Sequence, residues 1–148
     1  MVTHRRTSAD TETGLGKSFA GSKAIEFMAL LALCSAYIQG PLTKLFDFNG
    51  ALAEMDHFGL RPTLFFAIAV MIFELAMSAA ILSGFFRWAA ALALGVFTLI
   101  ATSLALRFWE LPPGMERTMA MNGFFEHLGL AGAFLLVAWH DLRSKMRL

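Results

Sequence analysis

The sequence predicts an all-α integral membrane protein, a four-helix bundle with four transmembrane helices. Three observations carry this. Of 148 residues, 57% are hydrophobic and only 16% are charged, against about 45–50% and about 25% in a soluble domain. The mean hydropathy is +0.63. The apolar residues gather into four long runs with no period-two alternation, which excludes a transmembrane barrel.

Residues 1–23 form a polar N-terminal segment with His4, Arg5, Arg6, Asp10, Glu12, Lys17 and Lys23. No apolar stretch follows its positive start closely, so it reads as a cytoplasmic tail and not as a cleaved signal. Residues 24–140 are the membrane domain, and 141–148 are a basic C-terminal tail.

Each span needs roughly 20 mostly apolar residues to cross the hydrocarbon. The first expected span is Ala24 to Leu45, with Glu26 at one mouth, Gly40-Pro41 near the far end and Lys44 at the exit. The second is Pro62 to Phe86, opened by a proline that suits a first helical turn. The third, Trp88 to Leu106, holds no ionisable residue. The fourth, Met119 to Trp139, is interrupted by Asn122, Glu126 and His127.

The connections differ in character. Gly84-Phe85-Phe86-Arg87 is a tight turn. Phe46 to Arg61 mixes Asp47, Glu54, Asp56 and His57 with Leu52, Met55, Phe58 and Leu60, a pattern suited to a short helix at the membrane interface. Pro112-Pro113-Gly114 forces a turn between the last two spans.

Orientation follows from the basic flanks. With the N-terminus inside, the inner side holds eight of the 12 Lys and Arg residues and the outer side four, namely Lys44, Arg61, Arg107 and Arg117. Both termini are therefore expected in the cytoplasm. Trp88, Trp109 and Trp139 fall near span ends, where indoles favour the interface.

Net charge and cysteine content exclude several function classes. A net charge of +1 argues against a polyanion binder, so no nucleic-acid partner is expected. The single Cys34 excludes an intrachain disulfide, a CxxC pair and a cysteine metal cluster. Glu126 and His127 are adjacent and point in different directions on a helix, and the Glu-x-x-His spacing of di-iron bundles is missing from the four spans, so no metal site is expected.

The candidate site is a set of polar residues inside the spans. An ionisable group at mid-bilayer costs on the order of 3 kcal/mol, so it needs a partner or a purpose. Glu74 lies 12 positions past Pro62 and 12 before Phe86. Of its helical neighbours Val70, Met71, Met77 and Ser78, only Ser78 is polar. Glu74 must find its partner on another helix or stay protonated. Span four offers Asn122, Glu126 and His127, with Asn122, Glu126, Gly129 and Ala133 on one face. Span one offers Tyr37, Gly40, Pro41 and Lys44 on a common side, with Gln39 nearby. Lys44, Glu74, Glu126, His127, Asn122, Tyr37 and Gln39 are thus the pocket candidates. Two carboxylates and an imidazole can pass protons or bind a polar head group such as a quinone carbonyl. The same residues would also serve as interhelical glue that fixes register.

The chain resembles the DoxX family of small four-span membrane proteins, first named as a subunit of a thiosulfate:quinone oxidoreductase. Three segments between Ile25 and Trp139 carry the likeness. One is Gln39-Gly40 followed by Lys44-Leu45. The second is Phe73-Glu74-Leu75, leading through Gly84, Arg87 and Ala89-Ala90. The third is Asn122-Gly123-Phe124-Phe125-Glu126-His127-Leu128-Gly129-Leu130-Ala131-Gly132. The chain departs at His127, where the family often has Asn. The resemblance implies a bundle in the bacterial inner membrane, a membrane subunit or accessory of a redox system, with quinone as the implied ligand and a redox protein as partner. A homo-oligomer is a further expectation. A small proton-coupled transporter or permeation subunit, and a structural anchor for a soluble partner, are the alternatives.

Overall fold

The structure is a computed structural model and describes residues 21–146. The expectations for the first 20 residues and for the last two lie outside them. Five α-helices follow in order: α1 Lys23–Phe46, α2 Phe48–His57, α3 Thr63–Ser83, α4 Arg87–Ala105 and α5 Met115–Lys145. A short 3-10 turn, Phe108–Glu110, precedes α5. Four helices are long and apolar enough to cross a membrane. They correspond to the four expected spans.

Local chemistry sets the helix ends. Ser22 caps α1, its side chain accepting from Ile25 N at 3.5 Å. Asp47 works twice. Its N–H donates to Thr43 O at 3.0 Å to close α1, and its Oδ1 accepts from Gly50 N at 2.9 Å to open α2. A Cβ at position 50 would collide with that carboxylate, so the glycine leaves the cap its room. Gly84 ends α3 with φ 82°, the left-handed conformation that glycine adopts without strain. The start of α4 is capped from a distance: Asp141 Oδ2 accepts from Trp88 N at 3.2 Å.

The span limits shift by a few residues. Helix α3 stops at Ser83 instead of Phe86 because Gly84 terminates it. Helix α5 is longer than expected, 31 residues. At 1.5 Å per residue it is about 46 Å long, more than the hydrocarbon thickness, so its polar ends extend past the apolar layer.

Buried residues recur at alternating steps of four and three. In α3 they are Ala67, Met71, Glu74, Ser78 and Ile81. In α1 they are Leu30, Cys34, Tyr37 and Pro41. This is the seam of helices that pack side by side at a shallow angle. In space α1 packs on α3, α3 on α4, and α4 most extensively on α5. Tyr37 and Phe134 close the ring edge-to-face, their centroids 5.3 Å apart. Gly95 packs against α5, where a Cβ would sit at ordinary contact, 3.4 Å from Phe134 Cβ.

The main core fills the end of the bundle where the two described termini meet, with Leu30, Ile81, Leu94, Phe134 and Ala138. There Arg87 pairs with Glu26 and donates to Ile81 O at 2.9 Å. A second, small core of Ala51, Met55 and Ala67 seats α2 on α3 at the opposite end.

Candidate functional site

Under α2 lies a cleft of about 390 Å³. Lys44 from α1, Glu54 from α2 and Glu74 from α3 supply its charged groups. The remaining wall is apolar: Phe66 and Val70 of α3, Phe97, Ile100, Ala101 and Leu104 of α4, and Met55, Phe58 and Leu60 around α2. Ile100 and Leu104 are exposed on the outside of the bundle. The cleft therefore has a lipid-facing flank between α3 and α4.

Helix periodicity places each charge. Lys44 continues the buried stripe of α1, three residues past Pro41. Its Nζ lies 3.1 Å from Glu54 Oε2. That ion pair ties α2 to the last turn of α1. Glu74 sits at the middle of the α3 stripe, 9% exposed, and its Oε2 has no hydrogen-bond partner. Ser78, one turn further along the same stripe, is 1% exposed, and its Oγ is also without a partner. Unpaired buried polar atoms are costly in a low-dielectric interior and point to a ligand, a proton or a water that satisfies them.

Deeper in the bundle, Tyr37 Oη lies 2.5 Å from Thr98 Oγ1. Thr98 Oγ1 also donates to Leu94 O at 2.7 Å. A hydroxyl has one proton, so the tyrosine is the donor in their mutual bond. Cys34 is wholly buried in the same core.

The sequence-derived candidates separate into three groups. Lys44 and Glu74 meet in the cleft, with Tyr37 buried in the core. His127 faces α4, its Nδ1 2.9 Å from Thr102 Oγ1. Asn122 and Glu126 are exposed, on a side of α5 turned away from α4. Gln39 is exposed too and donates to Thr43 within its own helix. The expected gathering of Glu126 and His127 with Glu74 is thus not what the packing makes. Helix α5 leans on α4, and only the His127 side of it turns inward.

Glu54 is the charged residue of the cleft that was not among the candidates read from the sequence. The mixed segment Phe46 to Arg61 signalled a short helix, and α2 is that helix. Within it, Ala51 and Met55 are the buried positions, so Glu54 next to Met55 lies on the inner edge, facing Lys44. No three His, Cys, Asp or Glu side chains cluster in a metal-binding arrangement among the described residues.

A family model described as DoxX matches residues 27–107. That range takes in α2, α3 and α4 and nearly all of α1, so it contains the whole cleft. No curated protein and no solved structure is matched.

Proposed function

The chain belongs to the DoxX family, and we propose that it serves as the membrane subunit or accessory of a redox system, taking a quinone head group in the cleft under α2. The observation that carries this reading is Glu74: a buried carboxyl with an unpartnered oxygen, at the edge of an apolar cleft with a lipid-facing flank. A lipid-soluble ligand with a polar head matches both halves of that description. The volume of about 390 Å³ suits a ring and the first part of a tail.

The residues present fit such a group. Lys44 has N–H donors for a carbonyl oxygen while it keeps its bond to Glu54. Glu74 accepts from a quinol hydroxyl when ionised and donates to a quinone carbonyl when protonated. Phe66 and Phe97 offer ring faces and edges to an aromatic head. When bound, a quinone supplies reversible uptake of two electrons and two protons. In that chemistry Glu74 holds or releases a proton at its Oε2, Lys44 orients the head group, and the apolar wall excludes bulk water. The electrons come from a redox protein partner. The basic flanks support a place in the bacterial cytoplasmic membrane with both termini inside.

Equilibrium binding of a short-chain ubiquinone to the purified protein in mild detergent tests the reading. Removing one partner of a buried hydrogen bond costs about 1–3 kcal/mol, so Glu74→Leu, which can neither donate nor accept, should weaken binding by about 5- to 100-fold. Lys44→Met should weaken it by a similar factor. Equal affinities for wild type and both variants, or no saturable binding by wild type, would reject the proposal.

A further inference from the structure

The polar groups of the bundle are arranged unequally along its axis. From the α2 end they descend in steps. The Glu54 side chain is 42% exposed and that of Lys44 19%, and the two are paired. Glu74 comes next, at 9%. Tyr37 is the other titratable group of α1 near this carboxyl. From α4 the neighbouring polar groups are Thr98 and Thr102, and Thr102 is joined to His127 of α5.

Past Glu74 the polar ladder ends quickly. Tyr37 and Thr98 are bonded to each other. Ser78 and Cys34 are wholly enclosed. Then comes an apolar layer: Leu30 from α1, Ile81 from α3, Leu94 from α4 and Phe134 from α5. Every helix of the bundle contributes one side chain to this layer, and three of the four are 0% exposed. Only beyond it do charges reappear, as Glu26, Arg87 and Asp141.

We propose that Glu74 exchanges protons with the aqueous phase at the α2 end alone, through Glu54 and Lys44, and that the Leu30–Ile81–Leu94–Phe134 layer seals it from the terminal end. A proton taken from water on the α2 side adds to the Glu74 carboxylate, and a proton lost from Glu74 returns by the same route. Charge cannot pass the apolar layer cheaply, because ions and hydronium lose their hydration there without a substitute. The cleft is then a one-sided site. Redox chemistry in it takes up and releases protons on one side of the membrane, and the chain by itself does not carry them across. This inference rests on Glu74 being the working group of the cleft. Its test reads access to position 74 and not ligand binding, so either proposal can fail without the other.

The test is thiol labelling in vesicles of uniform orientation with a cationic, membrane-impermeant methanethiosulfonate. Asn49→Cys, exposed on α2, marks one side, and Ser144→Cys, exposed near the end of α5, marks the other. Wild type, whose only thiol is the enclosed Cys34, should not label from either side. Glu74→Cys should label from the Asn49 side at least about 100-fold faster than from the Ser144 side, the factor matching the cost of a charge in an apolar helix core. Ala101→Cys, on the cleft wall and half-buried, should show the same sidedness and covers the case in which Glu74→Cys misfolds. Comparable rates from both sides, or labelling of either position or of Cys34 from the Ser144 side, would overturn the proposal. So would a folded Glu74→Cys protein that labels from neither side.

Discussion

Tyr37→Phe and Thr98→Val remove opposite ends of one buried hydrogen bond, and they should not cost the same. The bond joins α1 to α4 at 2.5 Å, one layer beyond the cleft. Thr98 spends its single hydroxyl proton on Leu94 O at 2.7 Å, so Tyr37 donates and Thr98 accepts. Phenylalanine at 37 takes away the donor and leaves Thr98 still bonded to Leu94. The cost is that of one interhelical hydrogen bond in a membrane, about 0.6–1 kcal/mol. Valine at 98 has nearly the shape of threonine but leaves the phenol of a residue only 6% exposed without a partner. A stranded buried donor costs about 1–3 kcal/mol. The double variant has no stranded group, so it should be close to Tyr37→Phe alone, with a coupling equal to the Thr98→Val cost, about 1–3 kcal/mol, between the two sites. Helical circular dichroism followed against the mole fraction of dodecyl sulfate in mixed micelles measures all four proteins. If Tyr37→Phe is as damaging as Thr98→Val, or if the two costs add, the donor assignment and the buried pairing are both wrong.

Gly95 makes the same titration informative about the α4–α5 contact. Gly95→Ala should be nearly neutral, because its Cβ would meet Phe134 Cβ at 3.4 Å and Ala131 O at 3.6 Å, ordinary contact distances. A loss of more than about 1 kcal/mol in Gly95→Ala would show that the two helices sit closer than these distances. Reporter fusions after Lys44, Arg87, Arg117 and Leu148 should read outside, inside, outside and inside, as the eight-to-four division of Lys and Arg requires. An outside reading at Leu148 would contradict the topology.

How much was legible in advance depends on what set each feature. The four spans were readable because bilayer thickness fixes how long an apolar run must be, and nothing in Ala24 to Leu45 or Trp88 to Leu106 depends on the rest of the chain for that. Gly84 was legible as part of a turn, and its left-handed backbone ended α3 three residues before the expected Phe86. The place of Glu74 midway along its helix followed from counting along the chain. The short helix α2 followed from the mixed composition of Phe46 to Arg61.

Which way each helix faces was a different matter. In water a helix shows its buried side as an apolar stripe against a polar one. In a membrane the outward side is apolar as well, so the stripe that packs and the stripe that meets lipid look alike. Helix α5 is the case in point: from the sequence, Asn122 and Glu126 were as good a lining for a pocket as His127. Only the fit of α5 against α4, through Gly95 and Phe134, turned His127 to Thr102 and left Glu126 exposed. Glu54 is the second case. Its i and i+4 neighbours carry no sign of Lys44, ten residues before it in the chain, until α2 folds back over the end of α1 and brings the two within 3.1 Å. The sequence by itself determined the class and the spans, because these depend on neighbours along the chain. The meeting of Lys44, Glu54 and Glu74 in one cleft was decided by tertiary packing, because rotation about a helix axis costs nothing until another helix is there to fit.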